Sequence, residues 1–221
     1  MSSENLHWPK HKSVSIVVDT PGWFDPFADA LKEKLESAGH SAYTFRDQTM
    51  VKEGGIAFFL SCMKLTRLEV LNRNPWNFVV HASDLPKGRG FSPVVWQILE
   101  GQNSIPVTMI DVVKAADAGR ICMQKTIFLD GSELNTEIRN KLGQTIVEMC
   151  FQTVDDSKSP IFRDQVGSGS WYNRRTKNDS ELDPHRTIAE QFNLLRVVDN
   201  DNYPAFFILN GQHYTLKIEK S

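Results

Sequence analysis

Hydrophobic and polar positions along this 221-residue chain fall into two alternating periods. Ser13 to Val18 (SVSIVV) is a compact β-branched run, the pattern of a strand buried on both faces. After the turn TPGW, Asp25 stands where an N-cap is expected, with Pro26 at the first helical position. Phe27, Leu31, Leu35 and Ala38 then form an apolar stripe at helical spacing, and Gly39 is a suitable terminator. The same alternation recurs downstream. IAFFL at 56–60 predicts a strand, and Leu65–Leu71 a short helix. Phe78–Val80 predicts a strand that runs directly into His81. Ser92 and Pro93 open a helix that turns Val94, Val95, Ile98 and Leu99 inward and ends at Gly101. VTMID (107–111) and Ile121–Leu129 complete the strand set. Leu134, Ile138, Leu142 and Ile146 then mark a long helix from about Ser132 to Val154.

Alternating strands and helices with short links predict an α/β fold. The expected form is a Rossmann-like open, mostly parallel sheet with helices on both faces. Near residue 156 the composition changes. DDSKSP and VGSGS are turn-rich, and NRRTKNDSELD is polar. IAEQFNLLRVV predicts a helix, and PAFFIL and HYTLKI flank Asn210-Gly211, a strong hairpin signal. The chain therefore divides into a core, 1–156, and a C-terminal extension, 157–221, ending in a β-hairpin.

Composition narrows the function classes. The formal net charge is -2, which offers no basic surface for nucleic acid. Cys62, Cys122 and Cys150 lack metal-ligand spacing, so neither a metal site nor a disulfide framework is expected. The opening residues, MSSENLHWPKHK, contain no apolar segment, and nothing approaches the ~20 apolar residues of a membrane span. The expectation is a cytoplasmic protein with no membrane partner.

In doubly wound sheets, ligands gather at the carboxyl ends of the strands. Two segments are expected there, VVHASDLPKGRGFSP (79–93) and MIDVVKAADAGRI (109–121). The first places His81 at a strand end before a Pro/Gly-rich loop. The second places Asp117 in a loop between two strands. A histidine and a carboxylate from adjacent strand ends make an acid/base pair, since the carboxylate can orient the ring and support its cationic form. A lone histidine after a strand is also a common structural or solvated group, and the pattern alone leaves both readings open.

The compound pattern resembles the formyltransferase family, which uses 10-formyltetrahydrofolate. A His, a Ser-x-Leu-Pro loop, an Arg-Gly, a helix with Trp and an Ile-Leu-x-Gly ending, a Val-Thr strand and an Asp-x-Gly follow in order over roughly residues 77–121. The resemblance implies that His81 and Asp117 are catalytic and that the donor is 10-formyltetrahydrofolate, with no metal. It places the pterin between Ser61, Cys62 and Met63 on one side and Asp111, Val112, Val113 and Asp117 on the other. The family usually carries Asn two residues before the histidine, where this chain has Val79. Asn77 lies on the same strand face but ~13 Å away in extended geometry, and a backbone amide of the Lys87–Gly90 loop is the other candidate oxyanion donor.

Downstream, WYNRRTKNDSELD resembles an Arg-Arg-x-x-x-Asp stretch found beyond the core in tRNA and sugar formyltransferases. Arg175, and after it Arg174, would bind a diphosphate, joined at the acceptor by Ser83, Lys87, Gly88, Arg89 and Gly90. Methionyl-tRNA enzymes are expected to carry a further basic domain for which this length has no room. The resemblance is closest to bacterial nucleotide-sugar N-formyltransferases of pseudaminic- or legionaminic-type pathways. The implied acceptor is thus a nucleotide-linked 4-amino-4,6-dideoxyhexose, an intermediate of surface polysaccharide biosynthesis, and the implied assembly a homodimer. A formylase of a carrier-bound aminoacyl group and a non-catalytic folate-binding protein are the alternatives.

Overall fold

In the computed structural model, residue 8 and residues 10–221 are described. The reading of a polar leader therefore falls mostly on residues outside the described ones. Six strands form the central sheet: β1 (Ser13–Val17), β2 (Ser41–Phe45), β3 (Ile56–Phe59), β4 (Trp76–His81), β6 (Ser104–Asp111) and β7 (Ile121–Phe128). Their order is β2-β1-β3-β4-β6-β7. The pairings β1/β2, β1/β3 and β3/β4 are parallel, whereas β4/β6 and β6/β7 are antiparallel. The sheet is thus mixed but mostly parallel, as the alternation predicts. The antiparallel β6/β7 pairing follows from chain length, because only residues 112–120 separate the two strands, too few for a parallel crossover.

β1 lies inside the sheet, and both of its faces are covered. Val14 and Ile16 face one core and Val17 the other, all fully buried. Ser15, also buried, accepts a hydrogen bond from the Lys52 N–H, which settles its hydroxyl inside an apolar layer.

The two faces are covered unequally. On one, α1 (Asp25–Ser37), α3 (Pro93–Leu99) and α4 (Asn135–Asp155) bury the main core. Leu31 and Leu35 of α1 are fully buried there, and truncating either to Ala would cost about 2–5 kcal/mol. On the other face lie only the one-turn α2 (Leu68–Leu71), a 3-10 turn at Gln48–Met50 and loops, over Val17, Val51, Ala57, Phe59 and Val70. This thinner face is where a cleft can open.

Several helix ends differ in detail from the sequence pattern. Phe24, not Asp25, is the N-cap of α1, and Asp25 sits in the first turn, accepting from the Gly22 N–H and Arg46. Ala38 is exposed, because the helix has already ended in the Gly39 turn. Ser92 precedes α3 in a left-handed conformation (φ 49°) and makes no side-chain cap.

Beyond α4 the chain returns to the sheet. Arg163 forms an isolated antiparallel bridge with Ile121, and β8 (Trp171–Tyr172) pairs with β5 (Arg89–Gly90). Then follow α5 (Phe192–Val197) and a hairpin of β9 (Ala205–Leu209) and β10 (Gln212–Leu216). Leu209 pairs with Gln212, and Asn210 and Gly211 both have positive φ, as a two-residue turn of this type requires.

Candidate active site

β4 delivers His81 to its carboxyl end, and the residues around the ring fix its orientation. The imidazole is 8% exposed. Its Nε2 lies 2.7 Å from the Gly88 carbonyl oxygen, which can only accept, so Nε2 carries a proton. Its Nδ1 faces Oδ1 of Asp117 at 3.5 Å, beyond a good hydrogen bond. The other carboxylate oxygen accepts the Gly90 N–H at 2.9 Å. An amine or a water lying beside the pair can reach Nδ1 and Oδ1 together.

Asp117 reaches His81 by a route the strand-end argument does not describe. β6 runs antiparallel to β4, with Asp111 paired to Phe78, so its end lies three residues short of His81. Residues 112–119 fold back across the thin face of the sheet. The loop is pinned where it leaves and re-enters, by Val112 N–H to Asn77 O and Asp111 N–H to Arg120 O. The Asp111 carboxylate is itself engaged by the Arg120 backbone N–H and guanidinium. Gly119 is required here, since a Cβ would lie 1.7 Å from the Asp111 carbonyl oxygen. Asp117 itself is held at φ 52°, a left-handed conformation unusual outside glycine.

Between this loop and the segment after β3 lies a slot of about 120 Å³. Phe59, Val79 and Ile110 line it, with Cys62 and Lys64 on one side and residues 111–119 on the other. Val79 thus contributes apolar surface where the resembling family has an amide. Burial pushes the Cys62 thiol up to about 12, and its Sγ donates to Val17 O, so it is packing and not a nucleophile. The Met63 and Lys64 N–H groups both bind the Asp19 carboxylate. Hence neither they nor the Val112 N–H can read a ligand edge. Ser61 is exposed in a left-handed turn (φ 52°), and Val113 is exposed.

Three acceptor or oxyanion expectations need correction. Asn77 donates both amide hydrogens to Leu71 O and Asn74 O, so it ties the α2–β4 turn and has none for an oxyanion. In the 87–90 loop every backbone N–H is also committed: Lys87 to Asp84 O, Gly88 to Ser170 Oγ, Arg89 to Ser170 O and Gly90 to Asp117. Ser83 is 1% exposed, and its hydroxyl oxygen has no partner among the described residues. It cannot face an acceptor.

On the outer side of the dyad, the extension supplies a different surface. Trp171 is 54% exposed, and its indole lies so close to Gly90 that a Cβ there would meet Nε1 at 2.8 Å. The exposed Arg174 guanidinium stands 5.6 Å from the Phe91 ring. Lys87 is exposed beside them in sequence, while Arg89 is half-buried against Gln165. Arg175 instead donates to Asp179 O and Ser180 Oγ. Burial lowers its pKa, only partly offset by Asp179, so it braces its own turn. Of the expected arginine pair, Arg174 alone faces outward. Gln165 and Ser170 carry no periodic or spacing signal in the sequence, which is why pattern reading passes over them, and Trp171 opens the WYNRRTKNDSELD stretch without a role of its own there.

Among the described residues there is no group of three or more metal-ligating side chains, and no helix long and apolar enough to cross a membrane. No family model matches the chain. Among solved structures, it is similar to a methionyl-tRNA formyltransferase from Clostridium thermocellum, with TM-score 0.79 and 21% identity over 95% of this chain and 93% of that one. It is also similar to a 4-N formyltransferase from Francisella tularensis, with TM-score 0.72 and 19% identity over 95% and 99%. A third is a sugar 3N-formyltransferase solved in the presence of dTDP and 5-N-formyl-THF, with TM-score 0.67 and 17% identity over 90% and 83%. With its mixed six-stranded sheet and C-terminal hairpin, this chain has the fold that these formyltransferases share.

Proposed function

We propose that the protein is an N-formyltransferase that moves the formyl group of 10-formyltetrahydrofolate to the amine of a nucleotide-linked amino sugar. The observation that carries this reading is the His81–Asp117 pair, facing each other at 3.5 Å beside an apolar-lined slot. Ligand sites for whole drug-sized molecules are typically ~300–1,000 Å³. The slot of about 120 Å³ therefore suits one flat ring, such as a pterin, and leaves the acceptor outside.

The donor supplies an electrophilic formyl carbon and takes a proton at N10 as the C–N10 bond breaks. The chain's own task is to hold the amine and move that proton. Asp117, fixed by Gly90 N–H, accepts hydrogen from an incoming amine or from a water bridging to Nδ1. His81, its Nε2–H already anchored on Gly88 O, can take up and return a proton only at Nδ1, the nitrogen facing Asp117. Its cationic form, held beside the carboxylate, stabilises negative charge developing on the formyl oxygen. Val79 and Ile110 keep the slot apolar, which strengthens that interaction.

Outside the slot, Trp171 and Arg174 favour an acceptor with a ring to stack and a phosphate to pair. A 4-amino-4,6-dideoxyhexose carried on a nucleoside diphosphate has both, and its formylation belongs in the cytoplasm among the steps that build surface sugars. Chain length does not separate this acceptor from tRNA, since this chain spans 93% of a solved methionyl-tRNA formyltransferase chain. Charge does favour the sugar, because Asp and Glu outnumber Lys and Arg by 27 to 25.

The deciding experiment incubates the protein with 10-formyltetrahydrofolate and separate panels of UDP- and dTDP-amino sugars, aminoacyl carriers and methionyl-tRNA. Mass gain of one formyl group on a nucleotide sugar alone is expected. Formylation confined to tRNA or carrier, or folate binding with no transfer, would overturn the assignment.

A further inference from the structure

The segment that follows α4 is largely irregular chain, yet it touches Asp117 and the Gly88–Arg89 peptide to which His81 bonds. Gln165 uses its whole side-chain amide there. Its Nε2 donates to Asp117 O and to Gly119 O, each at 2.8 Å, and its Oε1 accepts from Arg89 Nη2 at 2.6 Å. Five residues on, Ser170 grips the Gly88 region from two sides. Its Oγ accepts the Gly88 N–H at 2.8 Å, and its carbonyl accepts the Arg89 N–H at 3.0 Å. The peptide that bears Gly88 O, the acceptor of the His81 proton, is the one whose N–H belongs to Arg89.

These contacts are not the by-product of a packed core. Ile161 and Val166 are 88% and 85% exposed, and residues 167–170 are all exposed. Phe162 anchors the start of the segment by stacking on Trp76 and Phe78, and beyond it the chain is held by backbone pairing with Ile121 and with β5, together with the Gln165 amide. Asp117 meanwhile needs external support. A left-handed backbone at a non-glycine residue costs on the order of 1–3 kcal/mol, and its loop sits over the thin face of the sheet. Among the described residues, Gln165 Nε2 is the one side-chain donor that reaches both Asp117 O and Gly119 O, the carbonyls on either side of Ala118.

We infer that Gln165, assisted by Ser170, is a positioning residue that sets the Asp117 carboxylate against His81, so that the extension completes the dyad. This rests on the dyad being the site of formyl transfer, but its central claim concerns geometry and can be read without turnover. Because Gln165 lies past residue 156, the first 156 residues hold both dyad members but not the group that orients them.

The test uses the full chain carrying Gln165→Glu, which keeps the acceptor for Arg89 but turns a carboxylate toward two carbonyls. Gln165→Met, of similar length and without polar atoms, serves where Gln165→Glu does not fold. Either variant is expected to lower kcat by about tenfold or more, with KM for the folate changed less than about threefold. In an Asp117→Asn background the same change is expected to add less than about twofold, because it acts through that carboxylate. A rate within twofold of wild type, or an equal fold-loss in both backgrounds, would overturn the inference. Hydrogen exchange at the Gly90 amide, which is bonded to Asp117, is expected to quicken in the variant. If the wild type formylates no amine, the functional reading fails and this exchange alone decides: an unchanged Gly90 rate overturns the positioning role.

Discussion

At the scale of single residues, His81 and Asp117 were legible as a candidate pair from the compound motif of residues 77–121, and they do face each other, while the work of their neighbours was not legible. General acid–base groups contribute roughly 10²–10⁴ in rate, so His81→Ala and Asp117→Asn should each slow turnover by at least about a hundredfold with melting temperature retained. A near-normal steady-state rate for His81→Ala would move the chemistry elsewhere. Asn77 should behave differently. Its two amide hydrogens hold the turn before β4, so Asn77→Ala should cost about 1–3 kcal/mol in denaturant unfolding and leave kcat within twofold. A large kcat loss at unchanged stability would return Asn77 to the site. The arginines separate in the same way. Arg174→Ala should raise the acceptor KM by about tenfold, with added salt mimicking part of the loss, whereas Arg175→Ala should lower the melting temperature instead. Titrating acceptor and folate on both variants checks this, and equal acceptor KM values for Arg174→Ala and wild type would count against the outer surface. The fold reverses the order in which the sequence favours Arg175 over Arg174, because adjacent identical residues differ only in what the fold places around them.

At the scale of elements, periodicity identified five of the central strands and the long helices; it passed over β2, an edge strand in which Ala42 alone is buried, and it erred where local signals compete. The Asp25-Pro26 pair looks like a cap and first turn, yet the Asp25 side chain is drawn toward Arg46 and the helix begins one residue earlier than expected, with Phe24 as its cap. The two-residue hairpin was readable in full, since Asn210-Gly211 can supply both positive φ values cheaply. The contact between α1 and α4 was not. Gly143 lies inside α4 because the Phe27 ring occupies its Cβ position, with ring carbons 2.6 Å away. A helical glycine costs up to ~1 kcal/mol against alanine, and here close helix approach offsets it. Gly143→Val should therefore destabilise the protein by about 1–3 kcal/mol or more through overpacking, despite a better backbone preference. Thermal melting checks this, and an unchanged or raised midpoint would show that Phe27 moves aside freely.

At the scale of the whole molecule, the extension is fastened by ionic contacts as well as by β8. Arg196 of α5, 1% exposed, faces Glu133 and bonds Asn103, while Arg139 of α4 pairs with Asp199 at 2.8 Å. Burial by itself pushes the Asp199 carboxyl up. The N–H groups of Asn202 and Asp201 and the Arg139 guanidinium outweigh it and bring the pKa down to about 2. A folded value below the unfolded one stabilises above the unfolded value and is lost as pH falls through the folded value. The carboxylate should thus contribute roughly 2 kcal/mol near neutrality, fading between about pH 4 and pH 2. Asp199→Asn should lower stability at pH 7 by about that amount, with the deficit shrinking toward pH 2. A deficit independent of pH would assign the loss to shape rather than charge.

By itself the sequence determined the alternation of strands and helices and the hairpin, and its compound motif singled out His81 and Asp117 as the candidate pair. Each of these is a local pattern, set by side-chain period, turn chemistry or residue type along a short stretch of chain. The tertiary structure alone decided that the sheet turns antiparallel after β4, that the Asp117 loop folds back across its thin face, and that Gln165 arrives from far downstream to hold it. It also decided which polar groups remain available, spending the amides of Asn77 and of residues 87–90 within the fold and leaving Arg174 outward. The reason is physical. Buried donors and acceptors must be satisfied wherever the chain happens to bring partners together, and those partners are set by packing between segments distant in sequence.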